Sequence, residues 1–243
     1  MAEGLLLKKS GSRAGLIVLI DPDKISCENI GSKIKIFEDQ GADAFFFGSS
    51  QPVKNDIHSI AKTIRETANI PLILFPGSSE QVTPHADGIL FITLISGRNP
   101  DYLIEHHVKA APFVKKMGLK VLPTAYLLIE CGYRTSVERV SRTQPLPASN
   151  IPNIVAHALA GEMIGMRYIY LEAGSGAKNP VSPEIISAVK SEVTVPVIVG
   201  GGIRTPEYAK KLVEAGADFI VIGNVLEKSD DPEIVKKFAE AVK

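Results

Sequence analysis

The sequence has no excess charge of either sign. Lysine and arginine total 27, aspartate and glutamate also total 27, and the formal net charge at pH 7 is zero. This balance excludes the global basic field that is typical of nucleic-acid-binding proteins, although a local basic patch is compatible with it. We therefore expect no nucleic acid among the partners.

Cysteines and long apolar runs are also scarce. The two cysteines, Cys27 and Cys131, are far apart in the sequence, which excludes both a disulfide framework and a zinc ligand set. The first residues lack the apolar stretch and cleavage site of a secretory signal. The longest apolar run, Ile89–Ile95, is much shorter than the roughly 18 residues of a membrane span. We expect a cytoplasmic protein without an integral membrane segment.

Short apolar runs alternate with amphipathic stretches, which is the pattern of a parallel α/β fold. The 243 residues are close to the usual length of one eightfold barrel. The predicted strands are Leu16–Ile20, Ala44–Phe47, Leu72–Phe75, Ile89–Ile95, Val121–Ile129, Tyr168–Leu171, Val197–Val199 and Phe219–Ile222. Eight buried strands favour a single closed TIM-type (β/α)8 barrel over residues 1–243.

Helical periodicity accompanies most of these strands. The predicted helices are Asn29–Asp39, Asp56–Thr67, Asp101–Met117, Ile151–Gly165, Pro183–Ser191, Pro206–Glu214 and Pro232–Val242. Ser182, Thr205 and Asp231 precede first-turn prolines and are predicted helix caps.

Two connections depart from the pattern. The segment between Phe75 and Ile89 has prolines and glycines that leave no room for a full third helix. A barrel with that helix reduced would have a side groove for a long apolar ligand, or the segment could be a compact loop with no role. The polar segment Cys131–Asn150 follows the fifth strand and could be a lid or could be disordered.

Glycine-rich turns follow the last three strands. They are Tyr170–Gly176 (Tyr170, Leu171, Glu172, Ala173, Gly174, Ser175, Gly176), Gly200–Arg204 with Gly201 and Gly202, and Gly223–Asn224. Glycine lets the backbone approach a ligand, and consecutive N–H groups form an anion cradle. This part of a barrel commonly binds phosphate, so we predict a phosphate site, although such turns could also serve the fold alone.

Carboxylates lie at the same predicted end of the barrel. Asp21 follows the first strand, and Ser49 and Ser50 follow the second, a set that suits Mg²⁺ and a diphosphate leaving group. Capping and turn formation are the alternative role of Asp21. Glu172 lies in a strand that should be buried, so it must be paired in a salt bridge, hydrogen-bonded or functional. As a functional group it could accept a proton from a hydroxyl nucleophile. Tyr170 could orient the same ligand or could simply fill the core.

An ordered set of motifs carries a family resemblance. The motifs are Asp21-Pro-Asp-Lys24, Gly48-Ser-Ser50, Phe75-Pro-Gly-Ser78, Ser96-Gly-Arg-Asn-Pro100, Tyr170-Leu-Glu-Ala-Gly-Ser-Gly-Ala177, Gly200-Gly-Gly-Ile-Arg204 and Gly223-Asn224. From about Leu16 to the C-terminus the chain resembles geranylgeranylglyceryl phosphate synthases, in the archaeal-type group that also has bacterial members.

The resemblance implies a barrel with the third helix replaced and a Mg²⁺-dependent prenyltransferase. The substrates would be sn-glycerol 1-phosphate and geranylgeranyl diphosphate, and the product an ether lipid precursor. Asp21 and Ser50 match the metal positions, and residues 170–176, 201–202 and 223–224 match the glycerol phosphate site. Glu172 matches the residue that holds the glycerol hydroxyl. Ser49 replaces a usual glycine, so either serine could face the ion. The resemblance also implies a dimer or a hexamer.

Other functions fit parts of the pattern. A sugar-phosphate isomerase of the same fold needs a second acid–base residue, for which the fifth strand offers Thr124, Tyr126 and Glu130. A flavin-binding barrel would use the same glycine turns and would be coloured. A catalytically silent barrel would bind phosphate without turnover.

Overall fold

The computed structural model describes residue 6 and residues 14–25, 29–229 and 231–243. Cys27 lies outside the described residues. The described strands are β1 (Gly15–Ile20), β2 (Ala44–Phe47), β3 (Leu72–Leu74), β4 (Gly88–Thr93), β5 (Lys120–Leu128), β6 (Tyr168–Glu172), β7 (Val197–Gly200) and β8 (Phe219–Ile222). They pair in parallel in chain order, and β8 pairs with β1 to close a barrel. The predicted (β/α)8 fold is confirmed.

Helices connect the strands on the outside of the barrel. Within the described residues they are α1 (Ile30–Asp39), α2 (Ile57–Thr67), α3 (His106–Met117), α4 (Ser136–Ser141), α5 (Ile151–Met163), α6 (Pro183–Glu192), α7 (Pro206–Glu214), α8 (Asn224–Lys228) and α9 (Ile234–Ala241). Every predicted helix is present within a few residues of its expected bounds, and the short helices α4 and α8 are additional. No helix in the described ranges is long and apolar enough to cross a membrane.

The predicted caps have different outcomes. Thr205 caps α7 as predicted, because its side chain accepts a hydrogen bond from the Tyr208 amide. The Ser182 side chain makes no capping hydrogen bond, although Pro183 does begin α6. Asp231 was wrongly placed as a cap, because α9 begins later, at Ile234.

Side chains alternate between the barrel interior and the outer layer, as the twofold period of a strand requires. On β6, Tyr168 and Tyr170 belong to the interior cluster, whereas Ile169 and Leu171 pack in the outer core against the helices. Glu172 continues the inward series and therefore lies at the carboxyl-terminal mouth of the barrel.

The third helix is reduced to one 3-10 turn, Ser79–Gln81, which confirms the predicted departure from a regular barrel. Phe91 and Ile92 on β4 are consequently only partly buried. A π-helical turn, Asp101–Glu105, leads directly into α3. The reduced third helix and the partly buried residues of β4 together leave an opening in the side of the barrel.

The segment after β5 is folded, so the alternative of disorder is wrong. It contains α4, and Leu146 pairs with Ile129 in a parallel bridge. The Asn99 side chain donates a 2.8 Å hydrogen bond to the Ser141 carbonyl, which fixes the end of α4. Val137 and Val140 of α4 line the cavity described below, so the helix covers the barrel mouth.

Candidate active site

A cavity of about 490 Å³ occupies the carboxyl-terminal mouth of the barrel. Its polar end is formed by the strand tips that carry Asp21, Glu172 and Asn224. From there it continues into the side opening left by the reduced third helix. A polar end joined to an apolar extension suits a ligand with a charged head and a long apolar chain.

Glu172 is the buried carboxylate of this cavity and is 5% exposed. Its Oε1 accepts a 2.6 Å hydrogen bond from the Gly174 amide. Burial raises the pKa of Glu172 to about 7, and the hydrogen bonds from the Gly174 amide and the Tyr170 hydroxyl only partly oppose this rise. No lysine or arginine of the described ranges forms an ion pair with Glu172. A carboxylate with a pKa near neutrality can accept and return a proton.

Aromatic rings pack beside Glu172 inside the barrel. Tyr126 and Tyr170 are stacked with ring centroids 5.1 Å apart, and Phe75 lies 5.4 Å from Tyr170. Burial, followed by the nearby charge of Glu172, raises the pKa of both tyrosines well above the usual value. Both hydroxyls therefore remain protonated: the Tyr170 hydroxyl donates a hydrogen bond to Glu172, and either hydroxyl can donate to a ligand.

The predicted glycine turns meet at the mouth of the barrel. Gly174, Gly176, Gly201 and Gly202 all have positive φ angles, of 100°, 73°, 85° and 73°. A side chain at Gly201 would overlap Glu172 Oε1 and would lie only 2.6 Å from the Gly174 amide nitrogen. Glycine is therefore required both by the backbone conformation and by the close approach of the two turns.

Side chains tie these turns together. Ser175 Oγ donates a 2.9 Å hydrogen bond to Asn224 Oδ1, which joins the loop after β6 to the tip of β8. Tyr133 donates a 2.7 Å hydrogen bond to the Ser175 carbonyl. Arg204 donates hydrogen bonds to the carbonyls of Ala177 and Lys178 and also lines the cavity. The turns thus form one connected rim, which we call the glycine rim.

Asp21 lies at the mouth of the cavity, at the tip of β1. Lys24 Nζ is 3.5 Å from Asp21 Oδ2 and 3.1 Å from Glu227 Oε1. Ser49 Oγ donates a 3.5 Å hydrogen bond to Asp21 Oδ2 and accepts one from the Gln51 amide. Ser50 also lines the cavity, and its hydroxyl has no hydrogen bond within the described part of the chain. Ser49 therefore contacts Asp21, and Ser50 lines the same cavity.

These oxygen donors are few. The described residues contain no group of three or more histidine, cysteine, aspartate or glutamate side chains that could hold a metal ion. Mg²⁺ is commonly bound by one or two carboxylates together with substrate phosphates and water. The carboxylate of Asp21 and a serine hydroxyl fit that mode of binding, in which the substrate completes the site.

The apolar extension of the cavity lies between β4 and α3. It is lined by Val82, Ile89, Phe91, Ile92, His106, His107 and Ala110. His107 packs on Phe91 with ring centroids 4.3 Å apart, and burial lowers the pKa of His107. The wall is therefore mainly apolar, and the lowered pKa favours the neutral form of His107, which supports a groove over a compact loop with no role.

Most predicted site residues lie on the cavity. Tyr170, Glu172, Ser175, Gly176, Gly201, Gly202, Gly223, Asn224, Asp21 and Ser50 all line it. The side chains of Leu171 and Ala173 instead pack in the outer core. Gly174 contributes through its amide, which is already bonded to Glu172. Glu130 is exposed and does not line the cavity, so β5 supplies no second acid–base carboxylate.

The sequence predictions missed several cavity residues. Lys24 and Arg204 lie inside quoted motifs, and their positive charge next to a predicted phosphate site could have indicated them. Tyr126 was considered on β5 without a role. Gln81, which lies outside the cavity, was also missed, because Ser49 and Gln51, which form three of its four hydrogen bonds, are about thirty residues away.

Known proteins match both the sequence and the fold. The profile of the PcrB family matches residues 10–242. The chain is 46% identical over 220 residues to the geranylgeranylglyceryl phosphate synthase of Flavobacterium johnsoniae, covering 90% of each chain. It is 42% identical over 228 residues to the synthase of the same name from Methanopyrus kandleri, covering 93% of each.

A solved structure extends the match to three dimensions. The crystal structure of (S)-3-O-geranylgeranylglyceryl phosphate synthase from Thermoplasma acidophilum, in complex with sn-glycerol-1-phosphate, superposes with a TM-score of 0.90. The identity is 34%, and the match covers 97% of this chain and 95% of that one. With the family profile spanning nearly the whole sequence, these similarities show that the chain is an enzyme, a prenyltransferase that belongs to the PcrB family.

Proposed function

We propose that this enzyme joins sn-glycerol 1-phosphate to geranylgeranyl diphosphate and releases diphosphate. The observation that carries the proposal is the position of Glu172, a buried carboxylate between a glycine-rich rim and an apolar cavity. Relatives named geranylgeranylglyceryl phosphate synthase, in bacteria and archaea, support it. The product would be a precursor of ether lipids.

The rim formed by Ser175, Gly201, Gly202 and Asn224 would bind the phosphate of sn-glycerol 1-phosphate. Backbone N–H groups in turns with positive φ form anion-binding concavities without the need for a charged side chain. With its phosphate held there, the glycerol part would reach toward Glu172 and Tyr170. The complex of the Thermoplasma acidophilum enzyme with sn-glycerol-1-phosphate supports this substrate.

Glu172 would accept the proton of the attacking hydroxyl. The hydroxyl oxygen forms a bond to C1 of the prenyl chain, the bond from C1 to the diphosphate oxygen breaks, and the proton moves to Glu172. A pKa of about 7 suits this exchange, because the group is partly ionised at neutral pH. The apolar wall between β4 and α3 would hold the prenyl chain and exclude water.

Asp21 and Ser50 are the residues that we propose to hold Mg²⁺. Bound there, the ion would neutralise the negative charge of the diphosphate as it leaves. Ser49 has both Asp21 and the Gln51 amide as partners, whereas Ser50 has a free hydroxyl within the described residues, which supports Ser50 as the ligand. Lys24, beside Asp21, would add positive charge at the same place.

The test is a prenyl transfer assay. Purified protein is incubated with Mg²⁺, labelled sn-glycerol 1-phosphate and prenyl diphosphates of several lengths, and lipid-extractable ether is measured. Asp21→Asn and Glu172→Gln should each remove most of the product. Glu130→Gln is the matched control, because Glu130 also follows a barrel strand but is exposed and off the cavity. Full activity in Asp21→Asn or Glu172→Gln would overturn the role given to that residue.

Association of this chain with itself is also part of the proposal. A dimer or hexamer is expected from the family resemblance, and analytical ultracentrifugation at several concentrations would measure it. A monomer at every concentration would contradict the expectation.

A further inference from the structure

The turn that replaces the third helix contains a buried amide, Gln81, which is 4% exposed. Its Oε1 accepts hydrogen bonds from the amides of Ser49, at 3.1 Å, and Gly77, at 3.2 Å. Its Nε2 donates to the carbonyls of Ser49, at 2.9 Å, and Gln51, at 3.0 Å. Two acceptor and two donor positions are thus all used, which is the full capacity of a glutamine amide.

These four bonds join two loops that are separate in sequence. Ser49 and Gln51 follow β2, whereas Gly77 follows β3. The loops are also in close contact, since a Cβ at Gly77 would lie 3.0 Å from the Cα of Ser50. Gln81 therefore fixes the path of residues 49–51 from the side on which a regular barrel would have a full helix.

Residues 49–51 are where the cation and diphosphate are expected to bind. Ser49 Oγ hydrogen-bonds to Asp21 Oδ2, and Ser50 lines the cavity. Gln51 donates a hydrogen bond to Ser136 at the start of α4. Gln81 itself does not line the cavity, so any effect on the reaction must pass through this loop.

We propose that Gln81 is a positioning residue that holds residues 49–51 against Asp21 and thereby sets the affinity for the divalent cation and the prenyl diphosphate. The inference rests on the proposed function. Without Gln81, two amides and two carbonyls of the loops would lose their partner, and the loop would be free to move away from Asp21. The glycine rim on the other side of the cavity does not contact Gln81 and should keep its affinity for glycerol phosphate.

Two variants separate the acceptor and the donor functions of the Gln81 side-chain amide. Gln81→Leu has a similar size and removes all four hydrogen bonds. Gln81→Glu keeps the acceptor toward Ser49 and Gly77 but places a second acceptor against the carbonyls of Ser49 and Gln51. Asp87→Asn is the matched control: Asp87 accepts a hydrogen bond from the Leu72 amide and pairs with Arg65 at the opposite end of the barrel.

Kinetics give the first measurement. Gln81→Leu should raise the Mg²⁺ concentration for half-maximal rate, and the KM for prenyl diphosphate, by about ten- to a hundredfold, the usual effect of losing a residue that orients a ligand. Gln81→Glu should give a smaller increase. The KM for sn-glycerol 1-phosphate should change by no more than about twofold in either variant, because the glycine turns that would bind this substrate do not contact Gln81.

Backbone hydrogen exchange of the substrate-free protein gives the second measurement. In Gln81→Leu the amides of Ser49 and Gly77 should exchange faster, because they lose their acceptor. In Gln81→Glu, which keeps that acceptor, the increase should be smaller, and in both variants the amides of residues 174–176 should stay unchanged. If exchange is unaltered, or if the Mg²⁺ requirement rises equally in Asp87→Asn, Gln81 is only a stabilising residue and the proposal is wrong. If the wild type forms no ether, the proposed function fails, and the exchange data still decide whether Gln81 holds the loop.

Discussion

The two sides of the cavity mouth are built by different means. The side formed by β6, β7 and β8 is mainly backbone, in turns where four glycines have positive φ and one turn packs directly on the next. The side formed by β1, β2 and β3 depends on side chains: Asp21 and Ser49 face each other, and Gln81 connects the loop of Ser49 to the loop after β3. A rim made of backbone is rigid by packing, whereas a rim made of side chains needs a support for each loop.

This difference determines what each side can do. Closely packed N–H groups suit a phosphate of fixed geometry, because they bring no mobile charge to the site. Carboxylate and hydroxyl oxygens suit a cation that retains water and shares substrate ligands. In the proposed reaction, sn-glycerol 1-phosphate would thus bind to a preformed surface. The prenyl diphosphate would bind to a site that its own phosphates help to complete.

The largest expected effect comes from placing a side chain in the backbone rim. In Gly201→Ala the new Cβ would overlap Glu172 Oε1, and the positive φ of 85° is unfavourable for alanine. Both the phosphate cradle and the carboxylate must shift, so kcat/KM for ether formation should fall by at least about a hundredfold. Steady-state kinetics at saturating Mg²⁺ would measure the loss.

Gly118→Ala is the control for this substitution. Gly118 ends α3 with a φ of 67°, and a Cβ there would meet no atom within 4 Å. Backbone strain alone should cost about 1 kcal/mol of stability and leave kcat/KM unchanged. Equal losses of activity in Gly118→Ala and Gly201→Ala would show that strain, and not the crowding of the rim, is responsible.

Glu172 gives a prediction for stability as a function of pH. Burial raises its pKa from 4.5 to about 7, so between these values the unfolded chain releases a proton that the folded chain keeps. The contribution of Glu172 to the free energy of unfolding is therefore fully present below about pH 4.5 and is lost as pH rises through about 7. The total change is about 3 kcal/mol.

Glu172→Gln removes this titration. Urea unfolding of both proteins from pH 5 to pH 8 should show the variant gaining stability relative to the wild type as pH rises. Contributions of the exposed carboxylates cancel in the difference. If the difference in the free energy of unfolding does not vary with pH, the pKa of Glu172 is not raised in the folded protein.

The serine pair tests the side-chain rim. Ser50→Ala should raise the Mg²⁺ concentration for half-maximal rate by about tenfold, because it would remove a ligand of the ion. Ser49→Ala should have a smaller effect, since the Ser49 hydroxyl orients Asp21 but is already bonded at two positions. The reverse order of effects would identify Ser49 as the ligand.

Much of the fold was accessible from the sequence, because buried parallel strands and first-turn prolines are local signals. The glycine turns at residues 174–176 and 201–202 were accessible for the same reason, since a positive φ restricts the residue type. Gln81 was not accessible, because a glutamine in a loop has no local signature and three of its four hydrogen bonds go to residues of the preceding βα unit. The short helices α4 and α8 have too few residues to show a period.

The smallest expected effect concerns the link between the turns of the backbone rim. Ser175 Oγ donates to Asn224 Oδ1, and Ser175→Ala removes that hydrogen bond without touching the backbone amides. Since the cradle is held mainly by packing, the KM for sn-glycerol 1-phosphate should rise by only about three- to tenfold, the effect of one net hydrogen bond, with kcat unchanged. Isothermal titration with sn-glycerol 1-phosphate alone would check the affinity. A loss as large as that of Gly201→Ala would show that the rim depends on side chains after all, and the contrast between the two sides of the cavity would disappear.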